Sequence, residues 1–149
     1  MVSDLILAIG HHLLMFALVA VLVMELMLVR PEMTSAHVAR VARLDIAYGA
    51  LAGAILAVGV ARVVFGSRGY GYYLGNVFFW AKIAAFLAVG VLSIAPTRRI
   101  AVWRREARGN PDFRPQSGDV RSVRRVMHWE AVVFALIPIF AALMARYGG

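Results

Sequence analysis

Long apolar runs alternate with short polar stretches along this chain, at about 5–29, 44–65, 77–95 and 126–145. A helix needs about 20 apolar residues to cross a bilayer, and each run is close to that length or beyond it. The first run stops at Arg30-Pro31, where proline cannot continue the hydrogen-bond ladder. Thr34 or Ser35 can cap the next helix. That helix opens with His37, Arg40 and Arg43 before the second run begins at Leu44 and Asp45. Gly49, Ala52, Gly53 and Ala57 put small residues where two membrane helices can approach closely, so packing is their expected role. Gly66 to Gly75 reads as a glycine- and tyrosine-rich loop, and Tyr70, Tyr72 and Tyr73 fit an interfacial aromatic belt. Asn76 can cap the third spanning helix, and Pro96 marks a kink or an end. Good helix formers continue from Thr97 to Arg108, so the helix is expected to run on into the cytoplasm until Gly109, and a polar turn region, 110–118, follows. Ser117 or Asp119 then caps a last helix, basic at Arg121, Arg124 and Arg125 and apolar beyond, with Pro138 inside it. The expected fold is an all-α membrane protein, one domain over residues 1–149, with four transmembrane helices in an up-down-up-down bundle.

Composition supports that reading. Of 149 residues, 62% are hydrophobic and 16% charged, far from the balance of a soluble domain. The chain has no cysteine, which excludes disulfides, iron–sulfur clusters and thiolate metal sites. The net charge of +8 is a matter of placement: 12 of the 16 basic residues fall between Arg30 and Asp45 or between Pro96 and Arg125. Arginine excess in connecting loops marks the cytoplasmic side. In a bacterium, both termini and the tyrosine loop are then expected in the periplasm, and the chain in the inner membrane. No nucleic-acid partner is expected, because the charge marks topology rather than a soluble basic face. Met1 to Asp4 lack a basic n-region and no small-residue cleavage site follows, so no removable signal peptide is expected. Pro138 and the small-residue faces permit a homo-oligomer without demanding one.

The candidate chemistry lies in the polar residues inside the spans. The first span carries His11, His12 and Glu25. A charge at the centre of a membrane helix costs roughly 2.5–3.5 kcal/mol on insertion scales, so such groups usually face protein or water. At about 100° per residue, His11 and Glu25 return to within roughly 40° of one face. Met15, Leu18 and Leu22 share that face, while His12 points to its neighbour. His11 falls about 9 Å below the outer end, Lys82 about 8 Å and Arg62 about 5 Å, at 1.5 Å per residue. Three ionisable groups on three helices therefore share the outer half. Lys82 and Arg62 can both snorkel outward, and for Arg62 that is the expected role. Lys82 continues into a stripe of Ala85, Phe86, Val89 and Ser93 that reads as packed. In the inner half, Glu25, Asp45 and Glu130 are expected to pair with Arg43, Arg98 and Arg125 and so pin the helix ends. His128 is expected to face the surface and His37 to be solvated. For His11, three roles stay open: haem or metal ligand, proton-handling or substrate-binding group, and packing residue. The chain lacks the carboxylate–histidine sets of di-iron bundles and any serine–histidine–acid set.

The runs Gly75-Asn-Val-Phe-Phe-Trp-Ala-Lys-Ile-Ala-Ala-Phe86, Leu92-Ser-Ile-Ala-Pro-Thr97 and Leu44-Asp-Ile-Ala-Tyr-Gly49 resemble a bacterial family of predicted membrane proteins, domain of unknown function 2214. The likeness covers nearly the whole chain and implies no activity. More distantly, the layout is similar to the four-helix membrane protoporphyrinogen oxidase of bacteria and to copper-resistance membrane proteins. In that oxidase a first-span histidine and a third-span lysine serve haem binding and activity. The resemblance implies that His11 or His12, with Trp80-Ala-Lys82, take those places, although Phe78 stands where the oxidase has an arginine.

The resulting expectation is a b-type haem protein with a redox role, either electron transfer or dehydrogenation linked to a quinone or tetrapyrrole. His11 would be the axial ligand and metal contact, with His12 the alternative. Lys82 and Arg62 would meet carboxylates of the haem or of an anionic substrate, and Tyr70, Tyr72 and Tyr73 would cover the outer mouth. The rivals are a non-enzymatic small transporter or assembly partner, and a copper-handling bundle that uses His11, His12, Met15 and Met24.

Overall fold

The computed structural model describes residues 2–66 and 69–147, apart from the side chains of residues 2–4 and 70. Among the described residues the order is α1 (Val2–Leu28), α2 (Ser35–Phe65), α3 (Gly69–Leu74), α4 (Val77–Gly109) and α5 (Ser117–Tyr147). None of them forms a strand. Four helices, all but α3, are long and apolar enough to cross a membrane. Their 27 to 33 residues make rods of roughly 40–50 Å, against a hydrocarbon core of about 30 Å.

The excess length gathers at the arginine-bearing end. There Val29, Met33, Val38, Ile100, Trp103 and Met127 form a buried cluster of the kind a soluble bundle has. A second cluster runs through the apolar middle, with Leu18, Leu22, Ile55, Val89 and Phe134 inside it. The outer surface of the middle is apolar instead of charged: Phe16, Met27, Leu56, Leu87, Val132 and Ile139 are all exposed. Exposed apolar surface of that extent is a lipid-facing belt.

Packing is closest within the α1–α2 and α4–α5 pairs, and α2 joins them by packing on α4. The α1 and α5 helices meet sparsely, and α1 and α4 stand at opposite corners. The caps fall where the sequence puts them. Thr34 Oγ1 accepts from the His37 N–H at 3.4 Å, and Asn76 Oδ1 accepts from the Phe78 N–H at 2.9 Å. Two expectations need correction, and for Pro96 one of two alternatives is decided. The tyrosine stretch is not all loop, because Gly69–Leu74 coils into α3; Ser67 and Arg68 lie outside the described residues. Pro96, read as a kink or an end, does not end the helix: it is buried inside α4, which runs on to Gly109 as the helix formers after it predict. Ser117 is already helical, and the first turn of α5 is closed by the Val120 N–H on the Gln116 carbonyl at 3.1 Å.

Candidate functional site

The interior of the bundle holds two polar layers, separated along α1 by the buried Leu18 and Leu22. The outer layer is built from α1, α2 and α4. His11 is half-buried and faces inward, and its Nδ1 is buried with no hydrogen-bond partner. A side-chain carbon added at Gly59 of α2 would lie 3.6 Å from His11 Cε1, an ordinary contact distance, so the ring stands against this turn of α2. Arg62 lies one turn further along α2; it too is half-buried, with a buried, unpartnered Nε. Lys82 is half-buried, with Nζ 5.3 Å from the centre of the Phe79 ring. Both cations are within electrostatic range of His11. The structure thus brings together the three groups that sequence depth put at one level. Both side chains are half-buried, and Arg62 Nε is their enclosed, unpartnered nitrogen; their charged ends keep access to the surface.

His12 does not join them. It is exposed, and its Nδ1 sits 2.7 Å from the Ala8 carbonyl, an ordinary local bond. Trp80 also points away: it is 52% exposed, and its indole N–H donates to the Leu74 carbonyl at 3.0 Å. Tyr73 is buried and packs on Phe79, with ring centres 5.6 Å apart. The Tyr72 hydroxyl donates to the Met144 carbonyl at 3.2 Å, which ties α3 to the end of α5 across the outer mouth. The Tyr70 side chain lies outside the described residues. The copper set is scattered: Met15 is half-buried on the His11 side, while Met24 and His12 are exposed.

The residues present fit a haem in a limited way. One imidazole offers a buried, unbonded nitrogen, and the two cations beside it suit carboxylates. The Phe79 ring stands next to Lys82, and Tyr73 packs on Phe79. A second imidazole does not reach this layer, because His128 is exposed near the other end with its Nδ1 2.7 Å from the Arg124 carbonyl. The donor set therefore suits a group held by one histidine. His37, expected in water, instead completes the α2 cap: it is half-buried, with Nδ1 3.0 Å from Thr34 Oγ1 and Nε2 3.4 Å from an Arg30 nitrogen.

The inner layer overturns the expected ion pairs. Arg43, Arg98 and Arg125 are all exposed, and the Arg43 Nε–H donates to the Ala39 carbonyl at 3.4 Å. Among the described residues the ion pair found is Arg99 with Asp119, 2.6 Å apart on the surface. Long guanidinium arms reach for water, while the carboxylates sit deeper on the inward faces. Arg124, by contrast, is half-buried and donates to the Val29 carbonyl at 3.2 Å, at the end of α1. Glu25 and Glu130 are each 2% exposed, and each has a buried Oε1 with no hydrogen-bond partner. The Tyr48 hydroxyl, buried on α2, is hydrogen-bonded to the Glu130 carboxyl. Asp45 lies one turn before it and accepts from the Thr97 hydroxyl at 2.6 Å. All four spanning helices contribute: Glu25 from α1, Asp45 and Tyr48 from α2, Thr97 from α4 and Glu130 from α5. Sequence reasoning gave Tyr48 and Thr97 no role. The signal for Tyr48 was its place three residues after Asp45, on the same helix face.

Four apolar helices around a polar interior define a polytopic all-α membrane protein. Within that class the chain belongs to the family described as predicted membrane protein (DUF2214), which it matches over residues 3–148. No curated protein and no solved structure matches it.

Proposed function

We propose that the protein is a b-type haem protein of the bacterial inner membrane with a redox role, and that its cofactor occupies the outer layer. The observation that carries this reading is the convergence of His11 with Arg62 and Lys82, with buried, unpartnered nitrogens on the first two. An orphaned buried polar group costs about 1–3 kcal/mol, more when charged, so a site that keeps them is built for a partner. That partner is an anion with one ligand-accepting centre. In this reading His11 would supply a nitrogen to the iron, and Arg62 and Lys82 would hold the carboxylates of the group. Tyr72 and Tyr73 keep water from the outer mouth. Haem, when bound, supplies the electron-transfer chemistry; the chain supplies ligand, orientation and charge. A quinone or a tetrapyrrole is the fitting redox partner, because both reach a buried site through lipid. The arginine-bearing loops face the cytoplasm and both termini the periplasm, as the basic-residue count implies.

The test is the absorption spectrum of protein purified from cells with ample haem. A Soret band with reduced-state bands of b-type haem is expected. A folded, colourless protein would overturn the haem reading and leave a small transporter as the better one. The inner carboxylate layer favours that second reading, since ionisable groups inside a bundle commonly mark ion or proton paths.

A further inference from the structure

We propose that the inner layer is a proton-binding site, in which Glu25 and Glu130 hold a proton inside the bundle and exchange it with the arginine-bearing surface through Asp45. This inference concerns a second site and stands whether or not the outer layer takes haem.

The argument begins with what the two glutamates lack. Each is almost wholly buried, and each keeps one carboxyl oxygen without a hydrogen-bond donor. Asp45 and Glu130 are the charged groups within range of Glu25, so its neighbours repel a negative charge. From α2 come Asp45 and Tyr48, from α5 Glu130, and from α4 the Thr97 hydroxyl. Among the described residues no basic group pairs with them: Arg124 spends its contact on the Val29 carbonyl, and Arg43, Arg98 and Arg125 are exposed. Two bare carboxylates in a dry core need a positive partner, because desolvation of each ion is expensive.

The partner is either a metal cation or a proton. A hard metal cation takes six or more oxygens around one point. Among the described residues no group of three carboxylate or imidazole side chains converges tightly enough to hold a metal. A proton needs one lone pair on a carboxyl oxygen, and the layer presents two of them. Tyr48 completes the arrangement, since it bonds one side of the Glu130 carboxyl and leaves Oε1 for the proton. The access route is visible as well. Asp45 is half-buried and Thr97 is exposed, so their hydrogen bond leads from the surface toward Tyr48 and Glu130 one turn further in. Buried Leu18 and Leu22 cover α1 beyond Glu25, so the route through Asp45 opens toward the arginine-bearing end.

Infrared difference spectroscopy of the full-length protein, stepped between acid and alkaline buffer, reads this site directly. The wild type should show a carboxylic-acid C=O band that appears with acid. Glu25→Gln and Glu130→Gln should each remove or shift it, with helix content by circular dichroism unchanged. Asp45→Asn should keep the band and slow its hydrogen–deuterium exchange. If both glutamine variants are folded and retain the wild-type band, the proposal is overturned. If sodium chloride, exchanged for choline chloride at constant pH, erases the band in the wild type and not in the variants, the site belongs to a metal cation and the proton reading falls. If a glutamine variant fails to fold, Tyr48→Phe serves instead: a shifted band supports the site, and an unchanged one counts against it.

Discussion

The two polar layers are opposites. Among the described residues, the outer one is cationic, with His11, Arg62 and Lys82 and no carboxylate bonded to them, and the inner one is acidic, with Glu25, Asp45 and Glu130 and no bonded base. Had the bundle needed ion pairs for stability, one layer could have held both signs. Instead the charges stand 14 residues apart along α1, roughly 21 Å at 1.5 Å per residue. At that distance two unit charges attract by only about 1 kcal/mol even at an effective dielectric near 20. Neither layer can neutralise the other through the apolar plug between them, so each calls for its own partner. That is the main reason to read both as sites and neither as a fastening.

The largest expected effect is at the ligand of the outer layer. His11→Ala should abolish the haem bands or shift them strongly, whereas His12→Ala should leave them in place, because that ring faces outward and bonds its own helix. Absorption spectra of the two variants decide this. The reverse result would show that α1 turns on binding, and would dissolve the layer as drawn. Lys82→Ala comes next. An ammonium contributes to cofactor binding as a point charge, so retention should fall about tenfold, near 1.4 kcal/mol, with band positions unchanged. Haem transfer to apomyoglobin measures that loss. A change in band position would make Lys82 a ligand.

The inner layer predicts an absence of damage. Removing one partner of a buried ion pair costs about 3–5 kcal/mol, because it strands the other charge. Glu25 has no such partner, so Glu25→Gln should stay within about 1 kcal/mol of wild type, the usual range for a near-isosteric change that breaks no bonded network. Thermal unfolding in detergent tests this. A loss of several kcal/mol would restore the helix-pinning role and set the inner layer apart from the outer one as merely structural.

How far the sequence foretold this differs between the layers. The spans, the caps at Thr34 and Asn76 and the inward face of His11 were all legible, because apolar length and helical phase decide them. The family was legible too, in the Leu44 to Gly49 and Gly75 to Phe86 runs. The inner layer was misread. Nearness in sequence put arginines beside Glu25, Asp45 and Glu130, but pairing depends on which way each long arm turns. At a membrane surface it turns to water, and Arg43, Arg98 and Arg125 all do so. The Tyr48–Glu130 bond was also beyond reach: it joins diagonal helices, and nothing local announces which side chain spans the interior. The α3 helix escaped notice for a simpler reason, since six residues rich in glycine carry no periodicity to read.

The smallest effect is expected at Gly59, where α2 passes the His11 ring. Alanine in a helix interior is favoured over glycine by roughly 0.5–1 kcal/mol. The added carbon would stand 3.6 Å from His11 Cε1, an ordinary van der Waals distance that displaces nothing. Gly59→Ala should therefore raise the apparent melting temperature slightly in detergent and leave the haem bands where they are. The variant also probes the outer layer from the side that the His11 and Lys82 substitutions do not reach. If Gly59→Ala stabilises the cofactor-free protein but weakens or shifts the bands, the imidazole must swing toward α2 when it takes its ligand, and the space beside Gly59 is part of the site. If neither quantity moves, the ring is held by its own helix, and the glycine serves only the packing of α1 on α2.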